Sequence, residues 1–302
     1  MNTPLDIILT RPAKESSLWI EGFERAGHRA VNWPLIDIQP IKLDIHQTQI
    51  LGEVNTYAAL VFVSPSAVEH FFKSLALHPL LLKPLNPCWA TGLGTAHSLK
   101  KYGIGAAQIV SPPMSAPQFD SPRLWEVTKG LVNSGDKVLF IRGLDEESQP
   151  RQPRQPTQST QSTQSTQSIP QVRTIEDPDD VMGKHAVSSQ SSTGSQWLMA
   201  QLRQQGVWVN ELEIYQRGIP SWSNEQTKEA IKAVERGSIW ILSSSLSVQH
   251  LSRLLPHQDW SKARAIATHE RIARTAIELG WGVVRSSRPL IADVLTSLEY
   301  FN

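Results

Sequence analysis

The sequence predicts an α/β protein of two similar domains, each a parallel sheet flanked by helices. Three observations carry that expectation. The two halves repeat each other: Ala90–Ile104 (ATGLGTAHSLKKYGI) returns as Ala267–Trp281 (ATHERIARTAIELGW), and Val61–Phe72 (VFVSPSAVEHFF) returns around Ile241–Leu251 (ILSSSLSVQHL). Each block reads as an apolar strand, a hydroxyl-rich turn and an amphipathic helix, and strands that alternate with helices pack as parallel sheets covered on both faces. Finally, 302 residues of 40% hydrophobic content are enough for two cores. Two lobes imply a cleft between them.

The elements follow in order. Asp6–Thr10 is a short apolar strand that Arg11-Pro12 ends. Leu18, Trp19, Gly22, Phe23 and Ala26 form a helical stripe, closed by Gly27. Ala30–Trp33 is the next strand, and the proline-bounded Pro34–Pro40 (PLIDIQP) crosses out of the first sheet. Strand–helix units follow. Lys137–Ile141 (KVLFI) then repeats the first strand, Arg142-Gly143 its break, and Trp197–Gly206 (WLMAQLRQQG) its helix. Glu213–Pro220 (EIYQRGIP) is a second crossing, and further strand–helix units complete the chain. This order suits a discontinuous first domain, 1–37 plus 217–302, around a second domain, 38–216. A simple division into halves fits the periodicity nearly as well.

Residues 147–195, roughly, interrupt the second half. Thr157–Ser168 is a TQS repeat flanked by prolines and serines. Such a segment buries too little apolar surface to offset its chain entropy and is expected to be disordered.

A net charge of +1 gives no bulk attraction to nucleic acid or to a membrane surface. A single cysteine, Cys88, allows no intrachain disulfide. The first apolar run is too short for a signal segment, and no stretch reaches the ~20 apolar residues of a membrane span. A cytoplasmic protein is expected.

Ligands of parallel sheets sit beyond the carboxyl ends of the strands, so the turns there are the candidates. Ser64-Pro65 reads first as a helix cap, yet a helix start with a hydroxyl, here Ser64 and Ser66, also binds anions. Ser243-Ser244-Ser245 holds more hydroxyls than capping needs, which marks Ser244 and Ser245. Thr91-Gly92-Leu93-Gly94-Thr95 lacks the third glycine of a dinucleotide fingerprint and reads as a tight turn, with Thr91 and Thr95 toward a ligand. Arg11 and Arg142, at matching strand ends, could clamp carboxylates or pair across a domain interface. In the repeat, Gly143 corresponds to Pro12 and Thr268 to Thr91, and both join the candidates. Tyr215, in the second crossing, has a phenol able to donate a proton at a cleft floor, or else packs between domains. Histidine spacing gives no metal motif, and His269-Glu270 alone does not make one.

Taken together, TRP after the first strand, PLIDIQP, VFVSPSAVEHFF, ATGLGTA, VLFIRG, ELEIYQR and the late SSS turn resemble the uroporphyrinogen-III synthase family. The resemblance covers nearly the whole chain except the insertion. It implies two α/β domains joined by a two-stranded connector with the chain exchanging domains, which selects the discontinuous division. It implies conversion of the linear tetrapyrrole hydroxymethylbilane, with eight carboxylates, to a macrocycle by loss of water and inversion of ring D, a hydro-lyase reaction without metal or organic cofactor. It further implies a monomer, with a transient contact to hydroxymethylbilane synthase as the expected protein partner. By the same resemblance Tyr215 is the cleft tyrosine that assists hydroxyl loss, and Ser64, Ser244 and Thr95 are substrate-facing hydroxyls. Arg271 stands where some members carry a hydroxyl, and LDEESQP follows Arg142-Gly143 where many carry glycine and arginine. Those departures motivate the alternative expectation, a non-catalytic tetrapyrrole-binding or regulatory relative.

Overall fold

The computed structural model describes residues 4–77, 84–145 and 194–301. The TQS-rich insertion lies outside the described residues up to position 193. Its expected end at 195 is two residues too late, because a helix already begins at Gly194.

One lobe is a five-stranded parallel sheet in the order β11-β10-β9-β1-β2. Its strands are β1 (Asp6–Leu9), β2 (Arg29–Asn32), β9 (Ile239–Leu242), β10 (Arg264–Ala267) and β11 (Val283–Ser286). Helices α1 (Ser17–Arg25) and α10 (Ile291–Leu298) bring Trp19, Phe23, Val294 and Leu298 onto one face. Helices α7 (Asn224–Glu235), α8 (Ser245–Leu254) and α9 (Glu270–Glu278) cover the other, around Trp240, Trp260 and Trp281. The three central strands are apolar runs buried on both sides, as a doubly covered parallel sheet requires. Gly27 closes α1 and Gly206 closes its counterpart with φ of 84° and 78°, values that only glycine adopts without strain.

The other lobe has the order β3-β8-β7-β4-β5-β6. It comprises β3 (Asp37–Pro40), β4 (Ala59–Phe62), β5 (Cys88–Ala90), β6 (Ile109–Val110), β7 (Lys137–Asp145) and β8 (Trp208–Gly218). Helices α2 (Ile45–Gly52), α3 (Pro65–Ala76) and α4 (Leu93–Lys101) pack on one face. Helices α5 (Ser121–Thr128) and α6 (Gly194–Gln204) pack on the other, with Leu124, Leu198 and Leu202 buried. Cys88 is buried within β5, and burial pushes its thiol up to about 12. Among the described residues no helix is long and apolar enough to cross a membrane.

The chain changes sheets between β2 and β3 and again after β8, and β3 pairs antiparallel with the end of β8, Pro40 opposite Tyr215. The second crossing, expected at Glu213–Pro220, is the end of a longer strand that runs unbroken from Trp208 to Gly218. One expectation is corrected: Arg142-Gly143 does not end its strand. Because β8 continues past the sheet, it offers β7 a partner up to Asp145, opposite Arg217. The register slips between Arg142 and Gly143, so Ile214 is the extra residue of a bulge, and Ile214 and Tyr215 both turn inward.

Candidate active site

The carboxyl ends of the two sheets meet across an interlobe gap. On the connector side, Lys14 bonds Glu69, and the Ser66 hydroxyl donates to Glu15 Oε1 over 3.3 Å. On the far side, His269 Nε2 stands 3.7 Å from Asp120 Oδ2, while Arg288 donates to the Met114 carbonyl and lies over the Phe119 ring.

A cavity of about 1240 Å³ opens beside the connector. One wall is the end of β1: Arg11 and the 3-10 turn Ala13–Glu15 that follows it. The facing wall is one face of α3 and one of α4 along their length, with Ser66, Glu69, His70, Lys73, His97 and Lys101. Ser64 caps α3 by accepting from the Ala67 amide at 3.0 Å, with Pro65 in the first helical position, so Ser66 is held on a well-fixed first turn and Glu69 begins the next.

Arg11 lies over the Trp19 ring, 4.2 Å from its centroid, and Nη1 is 4.0 Å from Glu15 Oε2. Its Nε is buried with no hydrogen-bond partner among the described residues, leaving one donor unspent. Burial pushes the Glu15 carboxyl above the usual range; Arg11 and the Ser66 hydroxyl oppose that without cancelling it. Burial also pushes Glu69 up, but hydrogen bonds and charge from Lys14 and Lys73 together hold it below the usual range. Burial holds the His70 imidazole below its ordinary value.

Of the residues singled out from sequence, Arg11 and Ser66 line this cavity. Tyr215 does not reach the cleft floor. It is 2% exposed, its ring stacks on His70 with centroids 5.4 Å apart, and its hydroxyl lies 2.9 Å from Ser64 Oγ. The bulge that turns it inward is the reason. Arg142 is no free clamp either: it sits mid-strand and pairs with Glu211 at 2.7 Å. Gly143 lies against the Tyr215 ring.

The remaining hydroxyls lie at strand ends but outside this cavity. Thr91 donates to the Val63 carbonyl and Thr268 to that of Leu242. Thr95 is buried in α4. Ser244 precedes α8 without a side-chain cap bond, and Ser245 accepts from Thr275 at 3.2 Å. Arg271 is exposed on α9, its amide donating to His269 Nδ1.

Sequence reasoning missed Glu15, Glu69, His70 and Lys73. A signal existed. Glu69 and Lys73 are four apart on the helix that Ser64-Pro65 starts, which puts both on one face with His70 adjacent. Glu15 stands four residues after Arg11, in the turn closing the first strand.

Comparison with known proteins agrees with this architecture. The family model described as uroporphyrinogen-III synthase HemD matches residues 17–149 and 163–295. The uroporphyrinogen-III synthase of Chlorobaculum parvum (strain DSM 263 / NCIMB 8327) is 27% identical over 140 residues, 45% of this chain and 52% of that relative. The match thus spans about half the length of the relative. Among solved structures, a mutant uroporphyrinogen III synthase from the extremely thermophilic bacterium Thermus thermophilus superposes with a TM-score of 0.50 at 13% identity, covering 98% of each chain. The Helicobacter pylori 26695 uroporphyrinogen-III synthetase superposes equally well, 0.50 at 14% identity, over 99% of this chain and all of that one. These likenesses speak to the fold, whereas the family model matches well over half of the sequence. The chain therefore belongs to the uroporphyrinogen-III synthase family.

Proposed function

We propose that the protein cyclises hydroxymethylbilane to uroporphyrinogen III, with loss of water and inversion of ring D, as a step of tetrapyrrole synthesis. The observation that carries this reading is the interlobe cavity. At about 1240 Å³ it exceeds the ~300–1,000 Å³ of ordinary small-molecule pockets, as a tetrapyrrole requires. Each wall bears a cation toward a ligand with eight carboxylates, Arg11 on one and Lys101 on the other, while Lys14 and Lys73 are paired with Glu69.

The chemistry asks for two things. A flexible chain must be folded so that its ends meet, which is a task of orientation that two walls can perform. A hydroxyl must leave as water, which needs a proton or a strong hydrogen bond. Side chains of this chain can supply both, so the reading calls on no cofactor.

Incubation of the full chain with freshly prepared hydroxymethylbilane, with separation of the type III and type I isomers, tests the reading. Enzyme-dependent type III product is expected. Type I product formed at the rate seen without protein would overturn it.

A further inference from the structure

We propose that Glu15 is the catalytic acid of the cavity, giving its proton to the departing hydroxyl, while Glu69 on the opposite lobe remains an anion. The inference rests on the reading above and names a group for its proton-transfer step.

The cavity places two carboxyls on opposing walls, in unlike surroundings. Glu69 accepts from two ammonium groups, Lys14 and Lys73, and is thereby kept ionised. Glu15 has a neutral hydroxyl, Ser66, at 3.3 Å and one cation, Arg11, at the outer limit of an ion pair. Its side chain is 21% exposed, so it is largely shielded yet open to the cavity. Burial disfavours its charged form, and the charge on Glu69 disfavours it further. One cavity that shifts two facing carboxyls in opposite directions has the arrangement of an acid and a fixed anion. The 3-10 turn holding Glu15 follows the end of β1 after only Thr10, Arg11 and Pro12, which ties its position to the sheet. Tyr215 is buried against His70 and bonded to Ser64, and Glu15 is the better placed donor.

The step balances. As the C–O bond of the hydroxymethyl group breaks, its electron pair leaves with oxygen, which takes the Glu15 proton and departs as water. The lone pair of the adjoining pyrrole nitrogen forms a C=N bond, leaving a cation on the ring. Glu15 is then a carboxylate facing that cation, and the attraction is strong where water is excluded. The proton released when the closed ring regains its aromatic pyrrole returns to Glu15.

The test is steady-state kinetics of the full chain, wild type, Glu15→Gln and Glu15→Asp, with hydroxymethylbilane across pH. The charged and titratable groups facing Glu15 are Arg11 and Lys14 from its own wall and Glu69, His70 and Lys73 from α3. Asp37 of β3 and His97 and Lys101 of α4 line the same cavity. A general acid contributes about 10²–10⁴-fold, so Glu15→Gln should lower kcat by at least about 100-fold with KM changed less than about threefold. Wild-type kcat should decline as pH rises through the Glu15 titration, and that limb should vanish in Glu15→Gln. Glu15→Asp should keep both the limb and part of the rate. Should Glu15→Gln fold poorly, the wild-type limb and its retention in Glu15→Asp decide the matter, because a merely structural partner of Arg11 moves neither. A Glu15→Gln enzyme within threefold of wild-type kcat and with the same limb would overturn the proposal and leave the function standing. A wild-type chain that forms no type III product would overturn both.

Discussion

Replacing Gly143 by alanine should disrupt the bulge that turns Tyr215 inward. A Cβ built at Gly143 would lie 2.5 Å from Tyr215 Cζ and nearer still to Cε2. Carbon atoms rest at about 3.5–4.0 Å, so the ring must retreat by about 1 Å or more. It cannot retreat freely, since His70 is stacked on it and Ser64 holds its hydroxyl. Overpacking of this kind costs about 1–3 kcal/mol, and loss of the Ser64–Tyr215 bond adds about 1 kcal/mol. Gly143→Ala should therefore destabilise the chain by about 2–4 kcal/mol, read as a lower urea midpoint at unchanged slope. The double variant Gly143→Ala/Tyr215→Leu should lose less than the sum of its parts, because removing the ring removes the clash. A Gly143→Ala midpoint indistinguishable from wild type, or strict additivity in the double variant, would refute the wedge.

Four further outcomes are expected. Tyr215→Phe should lose about 1 kcal/mol of stability, and kcat should fall no more than about tenfold, well short of a general acid's loss; kinetics and urea unfolding check both. For Glu15, burial raises the folded-state value, so its contribution is complete below the ordinary glutamate range and is lost as pH rises through the raised value; Glu15→Gln should flatten that decline in a pH series of melting curves. Asp120 has the opposite sign: the hydrogen bond from His269 lowers its value, so its contribution is present above the ordinary aspartate range and lost as pH falls through the lowered value, a loss absent in Asp120→Asn. Removing residues 151–190 should leave kcat within about twofold, because the TQS repeat has no apolar face and loop closure entropy changes by only about 0.6 kcal/mol per doubling of length.

The architecture was legible because a duplication prints each strand–turn–helix unit twice, and Ser64-Pro65 and Gly27 mark their helix ends in residue type alone. What was not legible follows from pairing. A strand's length depends on whether its neighbour continues, and nothing in VLFIRGLD says that β8 runs beside it as far as Asp145 and Arg217. The bulge at Ile214 shifts the two-residue alternation, so a phenol expected at the cleft floor from its place in the second crossing is turned into the core. Within the site, Arg11 and Ser66 were found because they flank strand ends. Glu15 and Glu69 were missed because their chemistry comes from facing each other across the gap, and a reading that moves along one chain sees each as an ordinary exposed charge.

The central claim, that a tetrapyrrole occupies the cavity beside the connector, is tested most directly by hydrogen exchange with and without uroporphyrinogen III. Both walls should be protected by the ligand: residues 11–19 after β1, and 65–74 and 93–102 along α3 and α4. Protection confined to α5 and α6, on the far face of the second sheet, or none on either wall at saturating ligand, would contradict the account.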